Sequence, residues 1–165
     1  MTKDEWEKLS PEKLDERAYE DPAVTLIHAA HLLTPDWLDW CAKKSPLAAI
    51  KYAAHLLTQE RLDWCAERYP WDTLENAAHL LTPERLDWCA VRTPIPALEN
   101  AAHLLTPERL DWCAKRFPTV ALWNAASLLT PERRAWITHE FPAEALEIMA
   151  KDKAKHLMEE SDVQG

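Results

Sequence analysis

The chain has 165 residues, almost half of them apolar, which suffices for one domain with a continuous core and excludes a disordered polar chain. Glycine occurs once, at Gly165, so β-hairpins, a phosphate-cradling P-loop and a dinucleotide-binding turn are all disfavoured. A net charge of −9 argues against nonspecific nucleic-acid binding through phosphate neutralisation.

The acid excess sits at the two ends. Residues 1–33 carry eight acids against four bases and residues 130–165 eight against five, while residues 34–129 carry twelve against ten. No apolar run is long enough to span a membrane. The polar, acidic stretch Met1 to Glu7 does not read as a signal peptide, and the four cysteines read as cytosolic thiols. A cytoplasmic location is the expectation.

The chain repeats itself with a strict 24-residue period in units beginning at Ser10, Thr34, Thr58, Thr82, Thr106 and Thr130. These units occupy 10–33, 34–57, 58–81, 82–105, 106–129 and 130–153, with a polar tail at 154–165. The fourth reads TPERLDWCAVRTPIPALENAAHLL. The first lacks the Trp and Cys, and the sixth ends in polar residues, as capping units do.

Each unit predicts two short helices. Thr at unit position 1 is an N-cap, Pro at position 2 suits the first helical turn, and Glu at position 3 favours the positive end of the helix dipole. Helix A then runs to about position 11. Proline at position 13 (Pro22, Pro46, Pro70, Pro94, Pro118, Pro142) stops it and opens helix B, which runs to the paired leucines. Neither helix is long enough to be stable alone. Leu at position 5, Cys at 8, Ala at 9 and the residue at 12 share the buried face of helix A. Leu at 17, Ala at 20 and 21 and Leu at 24 share that of helix B. The expected architecture is all-α: a single α-solenoid domain over 1–165, a superhelix of six tandem two-helix units with divergent end caps.

Thr-Pro, Leu and Cys-Ala at fixed offsets, with a proline break inside a 24-residue unit, resemble the leucine-rich repeat variant family over residues 10–153. The resemblance implies a right-handed superhelix of short helices. The chain departs from the family pattern in carrying Ala-Leu (Ala97-Leu98) where Val-Arg commonly follows the break. His-Leu-Leu (His103 to Leu105) replaces the usual closing Asn-Pro. A wholly α-helical helix B, without a tighter 3₁₀ turn, is therefore expected. The N-terminal cysteine cluster that holds an iron–sulfur centre in some members has no counterpart, because no Cys precedes Cys41.

Three ladders of side chains follow from the period. Cys41, Cys65, Cys89 and Cys113 fall on the apolar face and are too far apart for a disulfide or for one zinc site, so they read as core. Trp40, Trp64, Trp88, Trp112 and Trp136 lie outside that face. Arginines precede and follow them in the stripes Arg61–Trp64–Arg68, Arg85–Trp88–Arg92 and Arg109–Trp112–Arg116. Either this is cladding, with arginine stems over indoles, or it is a binding hot spot. On helix B, His31, His55, His79 and His103 recur at position 22, with Asn76, Asn100 and Asn124 at 19 and Glu75 and Glu99 at 18. Glu to His is an i,i+4 step near a helix C-terminus, which explains the histidines as local support. The other reading is a row of hydrogen-bonding groups on a concave wall. Smaller flanking residues put helix B on the concave side and helix A on the convex side.

No nucleophile–base pair stands out, and the aspartates Asp39, Asp63, Asp87 and Asp111 recur identically where catalytic groups are usually singular. The expected function is a non-catalytic scaffold for a protein or peptide, with no cofactor and no metal. Its candidate binding residues are His55, Asn76, His79, Asn100, His103 and Asn124 on helix B, or else Arg61, Trp64, Arg85, Trp88, Arg109 and Trp112 on helix A. Nucleic acid and membrane are unlikely partners on this reading. The alternatives are an acidic decoy competing with DNA for a DNA-binding protein and a helical-repeat DNA-repair glycosylase.

Overall fold

A computed structural model of the chain describes residues 2–147. The end of the sixth sequence unit, from 148, and the tail at 154–165 lie outside them. The described residues are all-helical, and no strand occurs among them.

After a first turn, α1 (Lys3–Trp6), ten-residue helices begin 24 residues apart. They are α2 (Pro11–Glu20), α4 (Pro35–Lys44), α6 (Gln59–Arg68), α8 (Pro83–Arg92), α10 (Pro107–Arg116) and α12 (Pro131–Glu140). Each is started by the hydroxyl expected of it. Ser10, Thr34, Thr58, Thr82, Thr106 and Thr130 accept a hydrogen bond from the backbone N–H three residues on, at 3.1–3.4 Å. Thr58 keeps the same extended backbone (φ −66°, ψ 154°) although Gln59 replaces the proline, so the cap and not the proline fixes this geometry.

Helix A ends at a single joint residue at position 12, with φ from −128° to −141° and ψ from 58° to 83°. The proline that follows begins α3 (Pro22–Ala29), α5 (Pro46–Ala48), α7 (Pro70–Asn76), α9 (Pro94–Asn100) and α11 (Pro118–Ala125). After α5 the chain continues as a π-turn, Ala49–Ala53. Residues 142–147 are helical again.

Helix B is not wholly α-helical. The alanine at position 20 leaves the helical region (Ala77 has φ −142°, ψ 16°), and a 3₁₀ turn follows. The turns are Ala30–Leu32, Ala54–Leu56, Ala78–Leu80, Ala102–Leu104 and Ala126–Leu128. The next helix dictates this. Its N-cap threonine must be extended, and so must the leucine before it (φ near −74°, ψ near 147°). The tighter turn reverses the chain in that short space and satisfies its own carbonyl: Leu81 N donates to Ala78 O at 3.1 Å.

Contacts gather the chain into two compact units, one ending at Thr93 and one beginning at Pro94. In the first, α2 packs on α4, α6 on α8, and the π-turn on both α3 and α7. One core cluster draws Ala18, Leu26 and Ala30 together with Leu38, Cys41, Ala42, Ala49 and Ala53 from the following sequence unit. A second joins Ile50 and Ala54 to Leu62, Cys65 and Ala77. In the second unit α11 packs on α9, α10 and α12 around Leu98, Leu110, Cys113 and Leu122. Cys and Ala at positions 8 and 9 are fully buried because the small side chains let neighbouring helices close in. Among the described residues two polar side chains are buried, Thr25 and Thr73, both in the first unit. Their hydroxyls donate to the carbonyls of Asp21 and Tyr69, so neither is left unsatisfied.

Trp6, outside the sequence period, is 3% exposed and packs on Leu14 and Ala29 while its ring stacks on His28 at 6.0 Å. Its buried indole N–H has no hydrogen-bond partner among the described residues. Trp6→Ala should cost about 3–5 kcal/mol in urea unfolding, and Trp6→Phe, which removes the unpaired donor together with part of the buried ring, should cost clearly less. Thr82→Ala should cost about 0.5–2 kcal/mol by the same measurement.

Candidate functional site

The helix A surface is a lattice that the chain completes with its own groups. From Trp64 onward, each indole of the ladder lies under at least one guanidinium group. Arg61 and Arg68 sit 4.9 and 4.1 Å from the Trp64 ring centre, Arg85 and Arg92 at 5.3 and 3.5 Å from Trp88, and Arg109 and Arg116 each at 5.0 Å from Trp112. Arg133 covers Trp136 at 4.9 Å. Where the arginines are missing, Trp40 is covered by Lys44 at 5.6 Å and stacks on Tyr19 at 5.7 Å.

The arginine at position 4 also reaches the aspartate 22 residues earlier. Arg61 donates from Nε to Asp39, which Lys43 also holds at 2.8 Å. Arg85 reaches Asp63 at 3.6 Å and Glu67 at 3.0 Å. Arg133 donates to Asp111 at 2.6 Å, and Lys115 holds the same carboxylate at 2.9 Å. The side chains of Arg61, Arg85 and Arg133 are only 12%, 19% and 16% exposed. The hydrogen bond from Arg61 holds Asp39 below the usual carboxylate range, and that from Arg133 does the same for Asp111. A cleft of about 560 Å³ on this side is lined by Lys43, Arg61 and Arg85 against Glu60, Asp63 and Glu67, so its charges already balance. The helix A candidates are thus brought together within each sequence unit, with the position 4 guanidinium bound by the chain itself.

The helix B candidates are arranged differently. Asn76, Asn100 and Asn124 each donate from Nδ2 to the carbonyl four residues back, at 2.9, 3.3 and 3.1 Å. Each of these bonds uses one of the two amide N–H groups of its side chain. His55, His79 and His103 are exposed, but each stands in the middle of a 3₁₀ turn. The expected i,i+4 step from Glu75 to His79 presumes one continuous helix; α7 ends at Asn76, so the two side chains do not share its face.

Half-exposed aromatics stand at different places in the B segments, Trp71 on the first turn of α7, Tyr52 in the π-turn and Trp123 near the end of α11, and so form no ladder. Tyr52, Trp71 and Trp123 are 43%, 48% and 49% exposed, and Leu47 is equally open. The signal that finds them is divergence between units. Positions 1–9 read TPERLDWCA in the fourth and fifth units and differ in one residue in the third. Positions 14, 15, 18 and 19 instead read Leu47, Ala48, Lys51, Tyr52, then Trp71, Asp72, Glu75, Asn76, then Ile95, Pro96, Glu99, Asn100, then Thr119, Val120, Trp123, Asn124.

The cysteines are fully buried, and the Cys41 thiol donates weakly to the Ala18 carbonyl at 3.9 Å. Burial pushes Cys41, Cys65 and Cys89 up to about 11. No group of His, Cys, Asp and Glu suited to a metal ion occurs among the described residues.

Two measurements check these electrostatics. The thiols should resist Ellman's reagent in the native protein and titrate fully in guanidinium. The Asp39 carboxyl is depressed, so its contribution is complete above the ordinary carboxylate range and fades as pH falls through the lowered value. Asp39→Asn should therefore lower the stability read from urea unfolding at about pH 7, by no more than ~1 kcal/mol for so exposed a carboxylate, and the difference should shrink as the pH falls through the acid range.

No family model, no curated protein and no solved structure matches the chain.

Proposed function

We propose that the protein is a non-catalytic binding scaffold, an α-solenoid of six 24-residue two-helix motifs that holds a protein or peptide along its helix B face. The resemblance to the leucine-rich repeat variant family supports the solenoid reading, and so do core clusters that draw on successive motifs at once. On this reading helix B lines the concave side.

One observation carries the choice of face. Tyr52, Trp71 and Trp123 are about half exposed at positions where the motifs differ from one another. A residue kept identical in every motif meets the demand that all motifs share, which is packing on a neighbour. A residue that changes from motif to motif is released from that demand, and large aromatics left in water are the side chains that most often anchor an interface. The helix A surface has the opposite character, constant and closed on itself. Asn76, Asn100 and Asn124 add amide groups that fix a backbone or side-chain partner between the aromatic anchors. The net charge of −9 favours a basic protein partner over nucleic acid.

Affinity capture from the source cell tests this reading. The double variant Tyr52→Ala with Trp71→Ala should reduce the captured partner about tenfold or more, while Trp64→Ala, on helix A, should leave capture intact at matched folding by circular dichroism. Capture lost in Trp64→Ala and retained in the double variant would move the site to helix A.

A further inference from the structure

The helix A lattice is open at one place in the first compact unit. Asp39 is held by Arg61, 22 residues on, and by Lys43, four residues on; Asp111 is held in the same way by Arg133 and Lys115. Asp15, on α2, stands at the same position one sequence unit before Asp39. Aromatics replace both of its cations: Trp37 takes the arginine's position and Tyr19 the lysine's. The Asp15 carboxylate accordingly has no ion pair and no hydrogen bond among the described residues.

Tyr19 lies one turn after Asp15 on the same face of α2. Its ring stacks on Trp40 at 5.7 Å, and Trp37 meets Trp40 edge-on at 5.4 Å. Trp37 and Trp40 rest against the core, whereas Tyr19 is 70% exposed, the most open large apolar side chain among the described residues. Lys44 lies over Trp40 at 5.6 Å and makes no ion pair with Asp15.

We propose that this gap docks an arginine side chain of a basic protein partner. Its guanidinium lies on the open Tyr19 ring beside Trp37, and its N–H groups donate to Asp15. The chain itself displays the pairing, since Arg61 is shared between Asp39 and Trp64, and Arg133 between Asp111 and Trp136. At Asp15 the carboxylate and the aromatic rings are present and the guanidinium has to come from outside. Charge selects the same occupant: α2 carries four acids against two bases, in a chain of net charge −9. A lysine supplies the charge but has no planar fork to stack on a ring while bonding a carboxylate, so it binds less well. The site lies on helix A and does not rest on the helix B anchors.

The test uses the full chain and N-acetyl-L-arginine methylamide as the probe, read by the indole N–H resonances of Trp37 and Trp40 in proton–nitrogen NMR. Each resonance is identified by its loss in Trp37→Phe or Trp40→Phe. Both should move with added probe, and the movement should fall at least about twofold in about 0.5 M salt. The citrulline analogue, isosteric but uncharged, should leave them in place, and the lysine analogue should move them about threefold less. Asp15→Asn should cut the Trp40 movement at least about threefold, while Asp72→Asn, which removes the same charge from α7, should not. Trp37→Arg, at unchanged spectral dispersion, should abolish the Trp40 response, because the chain then fills the gap with its own guanidinium. Equal movement with citrulline, equal effects of Asp15→Asn and Asp72→Asn, or a response retained in Trp37→Arg overturns the proposal. So does movement on raising the protein concentration without probe, which would assign the gap to a second copy of the chain. Tyr52→Ala with Trp71→Ala should leave the probe response intact, so this site and the helix B reading fail separately.

Discussion

No helix among the described residues can stand by itself. A ten-residue A helix and a B helix of seven or eight residues lie below the length at which helices persist in water, so each exists only because its apolar stripe is covered by a neighbour. That constraint explains the composition of the stripe. Leu74 and Leu98 supply the buried area, at roughly 1.5–3 kcal/mol each, and the Cys and Ala pairs let backbones approach closely enough to exclude water. Trp6, at the end of α1, likewise covers Leu14 and Ala29, and its buried indole N–H has no hydrogen-bond partner among the described residues.

Once packing takes one face of each helix, the remaining faces divide the other tasks. The outer face of helix A locks neighbours laterally. Arg61 binds Asp39 from one helix and lies over Trp64 on its own, so a single guanidinium ties two helices and shields an indole. Individually such contacts are weak, about 0.5–1 kcal/mol, and their value lies in recurrence along the chain. Among the described residues helix B shows no comparable network of ion pairs at its outward positions, where an asparagine recurs at position 19 but the large aromatics do not recur. Helix A thus carries a repeating network, and helix B a set of side chains that varies from one sequence unit to the next.

Much of this was legible in the sequence because it is local. A threonine hydroxyl reaching three residues ahead, a proline fixing the next turn and a leucine at a fixed offset each act within a few residues, and every A helix begins and ends where they place it. The break inside helix B was not legible. Ala77-Ala78 is as good a helical pair as sequence offers, and it leaves the helix only because Leu81 and Thr82 must be extended for the next cap. Missing that break carried the Glu75 and His79 side chains onto a common face they do not share. The exposed Trp71 and Trp123 were missed for another reason: a search tuned to recurrence discounts residues that occur once, and here the solitary residues are the open ones.

The account stands on motifs that bury their apolar faces against adjacent copies, so the most direct test removes one. Deleting residues 58–81 joins Leu57 to Thr82 and restores the 24-residue spacing across the junction. The shortened protein should keep a helical far-UV circular dichroism spectrum and a cooperative urea transition with a lower midpoint, as a stack one copy shorter does. A shortened chain that is unfolded, or that melts without cooperativity, would contradict stacking and imply a core that needs all of its parts at once.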